Sequence, residues 1–147
     1  MKKVLIINGP NLNLIGTRET EIYGNISFDE IKNECIKKGK ENNIEIDFRQ
    51  TNSEGEIINW IHEVNNNYEG LIINPAGYTH TSIAILDSLK VLKKPKIEIH
   101  ISNIYSRDEY RKKSVTSESV DGLICGFGKD SYILAILAIK KLMENIK

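Results

Sequence analysis

Five short apolar runs, rich in isoleucine and leucine and separated by segments of helical period, constrain the fold of this chain most strongly. Such runs are typical of parallel strands whose two faces are covered by the intervening helices. We predict strands at residues 2–8, 44–49, 70–74, 96–101 and 122–125. Right-handed crossovers between them favour an open, doubly wound α/β sheet, most simply in the order 2-1-3-4-5.

The segments between these runs have the signals of helices. The capping-box sequence Ser27-Phe28-Asp29-Glu30 opens a predicted helix that extends to about Asn42. Further helices are predicted at about 54–66, 81–92 and 130–146, with a short helical turn near 107–112. The helix at 81–92 is expected to face the sheet with Ile83, Leu86, Leu89 and Val91 or Leu92.

Length and charge exclude several classes of protein. With 147 residues and 40% apolar content, we expect one domain spanning residues 1–147. Twenty basic and twenty acidic residues leave no formal net charge, which argues against binding to nucleic acid. The longest apolar run, Ile133 to Ile139, is too short for a membrane span, and the four apolar residues before Asn8 are too few for a secretory signal. We therefore expect a cytoplasmic protein with no membrane partner.

A long polar segment, Asn8 to Gly24, follows the first predicted strand. Loops of more than about 12 to 15 residues in compact domains are usually functional or disordered, and the glycines and proline here favour a functional loop. Arg18 and Tyr23 lie five residues apart within it. Because a nearby cation favours the phenolate of a tyrosine, whose ordinary pKa is about 10, Tyr23 is a candidate base.

The third and fourth predicted strands also end in polar residues. The third is followed by Asn74 to Ser82, which contains His80. In the fourth, Glu98 and His100 alternate with isoleucines, so that a carboxylate and an imidazole share one face. One interpretation is that Glu98 orients His100 as a proton donor or acceptor in a partly closed pocket. The alternative is that this strand is an edge strand with one solvated face.

The segment after the fourth strand carries two arginines. Arg107 and Arg111 suit a carboxylate or another small anion, or else form a solvated i, i+4 cluster with Asp108 and Glu109. Ligands of doubly wound sheets bind beyond the carboxyl ends of the strands, near the switch point between strands 1 and 3. Tyr23 as base and His100 as acid would form a metal-free pair there. The cysteines have no metal-ligand spacing, and we expect no metal site.

Together these segments resemble the type II 3-dehydroquinate dehydratases, in order and at matching spacing over essentially the whole chain. The matching motifs are Asn8-Gly-Pro-Asn-Leu-Asn-Leu-Ile-Gly with Arg18 and Tyr23-Gly24, Asn74-Pro-Ala-Gly-Tyr-Thr-His-Thr-Ser, Glu98-Ile-His-Ile-Ser-Asn and Gly126-Phe-Gly. The resemblance implies a flavodoxin-like, three-layer fold and a homododecamer built as a tetramer of trimers. It also implies the cofactor-free anti elimination of water from 3-dehydroquinate to 3-dehydroshikimate, in the shikimate pathway.

The resemblance further implies a role for each matching residue. Tyr23 would take the C2 proton as a tyrosinate, Arg18 would favour that ionised form, and His100 would protonate the departing C1 hydroxyl. Asn11 would hold a water against the developing enolate oxygen, and Glu98 would lie behind His100. The implied substrate-binding residues are Asn74, His80, Asp87, Ile101, Ser102 and Arg111, with Asp87 reaching a neighbouring subunit's site.

Two departures and two alternatives accompany this resemblance. Thr20 stands where the family often has proline, which predicts a more mobile empty lid, and Ser131 stands where glycine is common. A catabolic quinate pathway would use the same reaction as aromatic biosynthesis. A flavodoxin-like module that binds flavin or accepts a phosphoryl group is the other alternative. It would need hydroxyl or acidic residues at the end of the first strand, where this chain has asparagines.

Overall fold

The computed structural model describes residues 1–16 and 26–145, and its centre is a parallel sheet in the order β2-β1-β3-β4-β5. Each neighbouring pair of strands is parallel. The strands are β1 (Lys2–Asn8), β2 (Ile44–Gln50), β3 (Gly70–Asn74), β4 (Lys96–His100) and β5 (Gly122–Cys125). The predicted order is confirmed, and the strand bounds agree to within one residue at each end.

Helices connect the strands and cover both faces of the sheet. They are α1 (Phe28–Glu41), α2 (Glu54–Asn67), α3 (Ile83–Val91), α4 (Glu109–Lys112) and α5 (Asp130–Glu144). Ser27, Ser53 and Ser82 cap the first three helices, and each side-chain oxygen accepts a hydrogen bond from a backbone N–H in the first turn. The cap predicted at Ser27 is therefore confirmed.

Alternate residues of β1 belong to two separate cores. Val4 and Ile6 pack with apolar residues of α1 and α5, whereas Leu5 and Ile7 pack with those of α2 and α3. All four side chains are fully buried, and burial of such a side chain contributes about 1.5–3 kcal/mol. The result is the three-layer, flavodoxin-like arrangement, with helices on both faces of the sheet.

The prediction for the buried face of α3 was partly wrong. Leu86, Leu89 and Leu92 are buried as predicted, and Val91, the alternative to Leu92, is 61% exposed. Ile83 is 65% exposed, however, and Ile85, which was not in the predicted set, is 0% exposed. The helix begins directly after its cap, Ser82, and two residues span more than half a helical turn. Ile83 therefore points away from the side of the helix that Ile85 and Leu89 present to the sheet.

The edge-strand alternative for the fourth strand was also wrong. β4 pairs with both β3 and β5, so it lies inside the sheet. Glu98 is 0% exposed and His100 is 5% exposed. The polar residues of β4 are thus buried in the protein, which requires hydrogen-bond partners for both of them. Among the residues that the structure describes, no helix is long and apolar enough to cross a membrane.

Candidate active site

A cavity of about 180 Å³ opens beyond the carboxyl ends of β1, β3 and β4, beside the switch point between β1 and β3. Its polar lining consists of Asn11, Asn74, His80, His100, Ser102, Arg107 and Arg111. Its apolar lining includes Leu12, Leu14, Ile15, Ile101 and Ile104. The parallel strands therefore bring predicted site residues from three separate segments of the chain to one place.

The ends of β1 and β3 lie unusually close together. Asn8 and Asn74 are register partners, and the N–H of Gly9 donates to the carbonyl of Asn74 at 2.8 Å. A Cβ atom on residue 9 would lie 2.6 Å from the carbonyl oxygen of Pro75. Only glycine permits this approach, since the obstructing atom belongs to the backbone.

Asn11 occupies a left-handed backbone conformation at the rim of the cavity. Its φ is 70°, and its side chain is exposed. The backbone N–H of Asn11 donates to Asn52 Oδ1 at 3.0 Å, and Gln50 Nε2 donates to the same oxygen at 3.1 Å. Asparagine adopts left-handed conformations more readily than most residues, so sequence and contacts both stabilise this turn.

A buried amide network holds the end of β3. Asn74 Oδ1 accepts a hydrogen bond from the N–H of Ala76 at 3.1 Å, and Asn74 Nδ2 lies 3.4 Å from the hydroxyl of Tyr132. That hydroxyl donates to Asn8 Oδ1 at 2.5 Å. Tyr132 thus links the two asparagines, a role that the sequence analysis missed. The position of Tyr132, shortly after the Gly126-Phe-Gly motif, is the sequence feature that could have indicated this role.

His80 is oriented by the backbone. Its Nδ1 lies 2.8 Å from the carbonyl oxygen of Lys113. A carbonyl can only accept, so Nδ1 carries the hydrogen and Nε2 of the neutral ring remains an acceptor. His80 is the last residue of a 3-10 turn, Ala76–His80, that precedes α3.

Glu98 and His100 form a buried pair. His100 Nε2 lies 2.8 Å from Glu98 Oε2, and the carboxylate also accepts hydrogen bonds from the hydroxyls of Thr116 and Ser117. Burial opposes the charged form of Glu98, but the hydrogen bonds from His100, Ser117 and Thr116 hold its pKa below the usual range. An ionised carboxylate only accepts, so His100 Nε2 donates to it and Nδ1 is the remaining ring nitrogen. Thr116 and Ser117 had no signal in the sequence analysis.

The two arginines after β4 line the cavity. Arg107 and Arg111 both contribute to its lining, whereas Glu109 accepts a hydrogen bond from Lys112. This arrangement favours the anion-binding interpretation over the solvated cluster. Arg107 lines the cavity together with Arg111, although the family resemblance named only Arg111. The described residues that line the cavity carry no carboxylate, so its charge favours an anionic ligand.

Backbone contacts hold the end of β4 beside the cavity. The N–H of Gly126 donates to the carbonyl of His100 at 3.3 Å, and the N–H of Gly128 donates to that of Ile101 at 2.9 Å. Gly126 and Gly128 have positive φ values, which glycine adopts without strain. The Gly126-Phe-Gly motif therefore positions Ile101 and Ser102, which lie just past the last residue of β4.

The structure does not bring every predicted residue into the cavity. Asp87 is exposed on α3 and is not part of the cavity lining. Arg18, Tyr23 and the departure at Thr20 lie outside the described residues. Within residues 1–16 and 26–145, no group of three or more His, Cys, Asp or Glu side chains could hold a metal ion.

Comparisons with known proteins agree over most of the chain. The family model for class II dehydroquinases matches residues 2–140. The 3-dehydroquinate dehydratase of Thermoanaerobacter pseudethanolicus is 51% identical over 146 residues, covering 99% of each chain. That of Clostridium botulinum strain Hall is 52% identical over 136 residues, covering 92% of each chain. The crystal structure of a type II dehydroquinase from Butyrivibrio crossotus superposes with a TM-score of 0.92 at 45% identity, covering 94% of this chain and 97% of that one.

Proposed function

We propose, since the chain belongs to the class II dehydroquinase family, that it is a hydro-lyase that converts 3-dehydroquinate to 3-dehydroshikimate by anti elimination of water. The observation that carries this proposal is the buried Glu98–His100 pair, whose imidazole lines a cavity with Asn74, His80 and Arg111. The pair supplies a proton donor, and the arginines supply charge for a substrate carboxylate. In this proposal the reaction is cofactor-free, and Arg18 and Tyr23 complete the set of side chains that act on the substrate.

His100 acts as the general acid in this proposal. Its Nε2 donates to ionised Glu98, so the proton for the leaving group comes from Nδ1 of the protonated ring. The anionic carboxylate stabilises that ring and fixes its orientation. The proton passes to the C1 hydroxyl, which leaves as water.

Tyr23 acts as the base, and Arg18 favours its ionised form. Tyrosinate removes the C2 proton, and the electrons of the C–H bond move into an enolate with the adjacent ketone. The enolate then collapses, the C1–O bond breaks, and the double bond forms between C1 and C2. Asn11 holds a water against the enolate oxygen, which stabilises the negative charge as it develops. These assignments to Tyr23 and Arg18 rest on the family motif.

The substrate carboxylate binds against the backbone of Ile101 and Ser102, and Asn74, His80 and Arg111 contact the carboxylate and hydroxyl groups. What supports this assignment is that all five residues line the cavity. The role of His80 is defined more closely, because its Nδ1 donates to the Lys113 carbonyl. Its Nε2 therefore accepts a hydrogen bond from a substrate hydroxyl.

We propose that residues 1–147 form one catalytic domain and that the chain assembles as a homododecamer, a tetramer of trimers, in the cytoplasm. Asp87 then reaches the site of a neighbouring subunit. In support, Asp87 is exposed on α3, and Ile83 and Val91 on the same helix are exposed apolar residues that an interface would bury. Light scattering after size exclusion measures the mass of the assembly. A monomer would contradict the proposal.

Purified protein tests the activity directly. We expect the protein to convert 3-dehydroquinate, and the absorbance of the enone product measures this turnover. The absence of turnover would contradict the proposal. Treatment with borohydride in the presence of substrate should leave the enzyme active, because the mechanism forms no Schiff base. Tyr23→Phe should remove nearly all turnover while the substrate still binds.

The pathway role is the finer part of the proposal. We place the reaction in the shikimate pathway, and quinate breakdown is the alternative. Deletion of the gene from the organism that carries it should abolish growth without aromatic amino acids. Loss of growth only when quinate is the carbon source would favour the catabolic role.

A further inference from the structure

A short segment between α4 and β5, residues 113–117, contacts the buried carboxylate of Glu98. Thr116 is fully buried, and its hydroxyl lies 2.5 Å from Glu98 Oε1. The hydroxyl of Ser117 lies 2.6 Å from Oε2, the same oxygen that His100 contacts. Both carboxylate oxygens are therefore bonded from this segment, and His100 is bonded to one of them.

The carboxylate also sets the direction of a hydrogen bond between Ser117 and a second serine, Ser114. The N–H of Ser117 donates to Ser114 Oγ at 3.1 Å, and the two serine hydroxyl oxygens lie 2.5 Å apart. A hydroxyl has one hydrogen, and that of Ser117 is used on Glu98. Ser114 must therefore donate to Ser117, which completes a chain of donors that ends on the carboxylate. Hydrogen bonds in such a chain strengthen one another.

The same segment is attached to the substrate-binding side of the cavity. The N–H of Val115 donates to the carbonyl of Thr79 at 2.7 Å, and the carbonyl of Lys113 accepts from His80 Nδ1 at 2.8 Å. The segment thus joins His80 to the Glu98–His100 pair. A shift of this segment would move the carboxylate partners and the His80 acceptor together.

We propose that Thr116 and Ser117 are positioning residues for the proton donor. Their hydroxyls keep Glu98 ionised and hold its Oε2 on His100 Nε2, so that His100 presents Nδ1 to the cavity. Without the Thr116 hydroxyl, Oε1 of a fully buried carboxylate loses a donor. The carboxylate then rotates or takes up a proton, and His100 loses its fixed partner. This inference rests on the proposed dehydratase function.

The test compares variants that change one hydroxyl at a time. Thr116→Val removes the hydroxyl and keeps the shape of the side chain, and Thr116→Ser restores the hydroxyl. Ser119→Ala is the matched control, because the Ser119 hydroxyl donates to the backbone carbonyl of Thr116 instead of to Glu98. We expect Thr116→Val to lower kcat by about 10- to 100-fold with little change in KM. Thr116→Ser should recover most of that rate, and Ser119→Ala should keep the wild-type rate.

A positioning role also predicts which chemical step is slowed. Elimination of water should slow in Thr116→Val, while exchange of the C2 proton with solvent deuterium continues at a rate near that of the wild type. In the His100→Ala background the same substitution should cause no further loss, because both act on one step. Two results would overturn the proposal. One is that Thr116→Val slows exchange and elimination equally, and the other is that it lowers the elimination rate as much in His100→Ala as in the wild type.

Folding and function can be told apart in this design. If Thr116→Val does not fold, Ser117→Ala removes the other hydroxyl and is measured in the same way. A wild-type enzyme without dehydroquinate turnover would overturn the proposed function itself. An active wild type whose Thr116→Val and Ser117→Ala variants both keep the wild-type rate would overturn the positioning role alone.

Discussion

Glu98 and His100, on β4, are almost fully buried, whereas Asn11, after the end of β1, is exposed to solvent. Both regions contribute to the proposed chemistry at the same cavity, and they are held in place differently. The β4 pair depends on side-chain hydrogen bonds from Thr116 and Ser117. Asn11 depends on its own left-handed backbone conformation and on one bond from its N–H to Asn52.

This difference follows from where the charge lies. A buried carboxylate must be paired and hydrogen-bonded, so the β4 region draws partners from a distant segment of the chain. An exposed amide is solvated and needs only the right backbone geometry. Substitutions on β4 should therefore reduce stability and activity together. Substitutions at Asn11 should allow the two effects to be separated.

The largest expected effect is that of Glu98→Ala. It leaves the donors of His100, Thr116 and Ser117 without an acceptor in the interior, and we expect a loss of about 3–5 kcal/mol in the free energy of unfolding. Urea denaturation measures this loss. Glu98→Gln, which keeps the shape, should cost less. A loss below about 1 kcal/mol in Glu98→Ala would show that the β4 region does not depend on these bonds.

The pH dependence of stability should also show the contribution of the buried Glu98 carboxylate. The pKa of Glu98 is lower in the folded protein than in the unfolded chain, so its contribution is present above the unfolded value of about 4.3. That contribution is lost as the pH falls through the folded pKa. Asp47, whose pKa is also lowered, makes stability depend on pH in the same direction. Because Asp47 is present in both proteins, comparison with Glu98→Gln isolates the contribution of Glu98. We expect the wild type to lose stability more steeply than Glu98→Gln below about pH 4.3, and parallel curves would contradict this account.

Substitutions at Asn11, in contrast to those of the β4 pair, should separate an effect on stability from an effect on activity. Asn11→Ala places alanine at a φ of 70° and should cost about 1–2 kcal/mol in stability, whereas Asn11→Gly should cost little because glycine adopts this conformation freely. Both variants lack the amide, so both should lower kcat. Thermal unfolding and steady-state kinetics measure the two effects. If Asn11→Gly keeps full activity, the amide has no part in catalysis.

The smallest effect is expected for Asn52→Ala. This substitution removes the acceptor of the Asn11 N–H and of Gln50 Nε2 at the protein surface. We expect a loss of at most about 1 kcal/mol in stability and a fall of a few-fold in kcat. Asn52→Asp, which keeps an acceptor oxygen, is the matched control and should behave like the wild type. A larger loss of stability in Asn52→Ala would mean that the turn after β1 depends on Asn52 as much as the buried pair on β4 depends on Thr116.

The order of the strands and the residues at their carboxyl ends could be predicted because both have local signatures in the sequence. Apolar runs mark the strands, and polar residues directly after parallel strands must lie at one edge of the sheet. The partners of those residues could not be predicted. Thr116 lies 18 residues from Glu98, and Tyr132 lies 124 residues from Asn8. Serine, threonine and tyrosine side chains are common, and only the folded chain brings these particular ones together.

The misassigned face of α3 has a similar cause. The run from Ile83 to Leu92 is apolar at many positions, so several helical faces fit it about equally well. The cap at Ser82 and the preceding 3-10 turn determine where the helix begins. That start selects the apolar residues that are buried, which are Ile85, Leu86, Leu89 and Leu92.

The most direct test of the account is to measure elimination and C2 exchange separately in His100→Ala with 3-dehydroquinate in deuterium oxide. His100 is proposed to protonate the leaving hydroxyl, while Tyr23 is proposed to remove the C2 proton. We therefore predict that elimination falls by about 100-fold or more while exchange of the C2 proton remains near the wild-type rate. Equal losses in both rates would contradict the assignment of His100 as the acid.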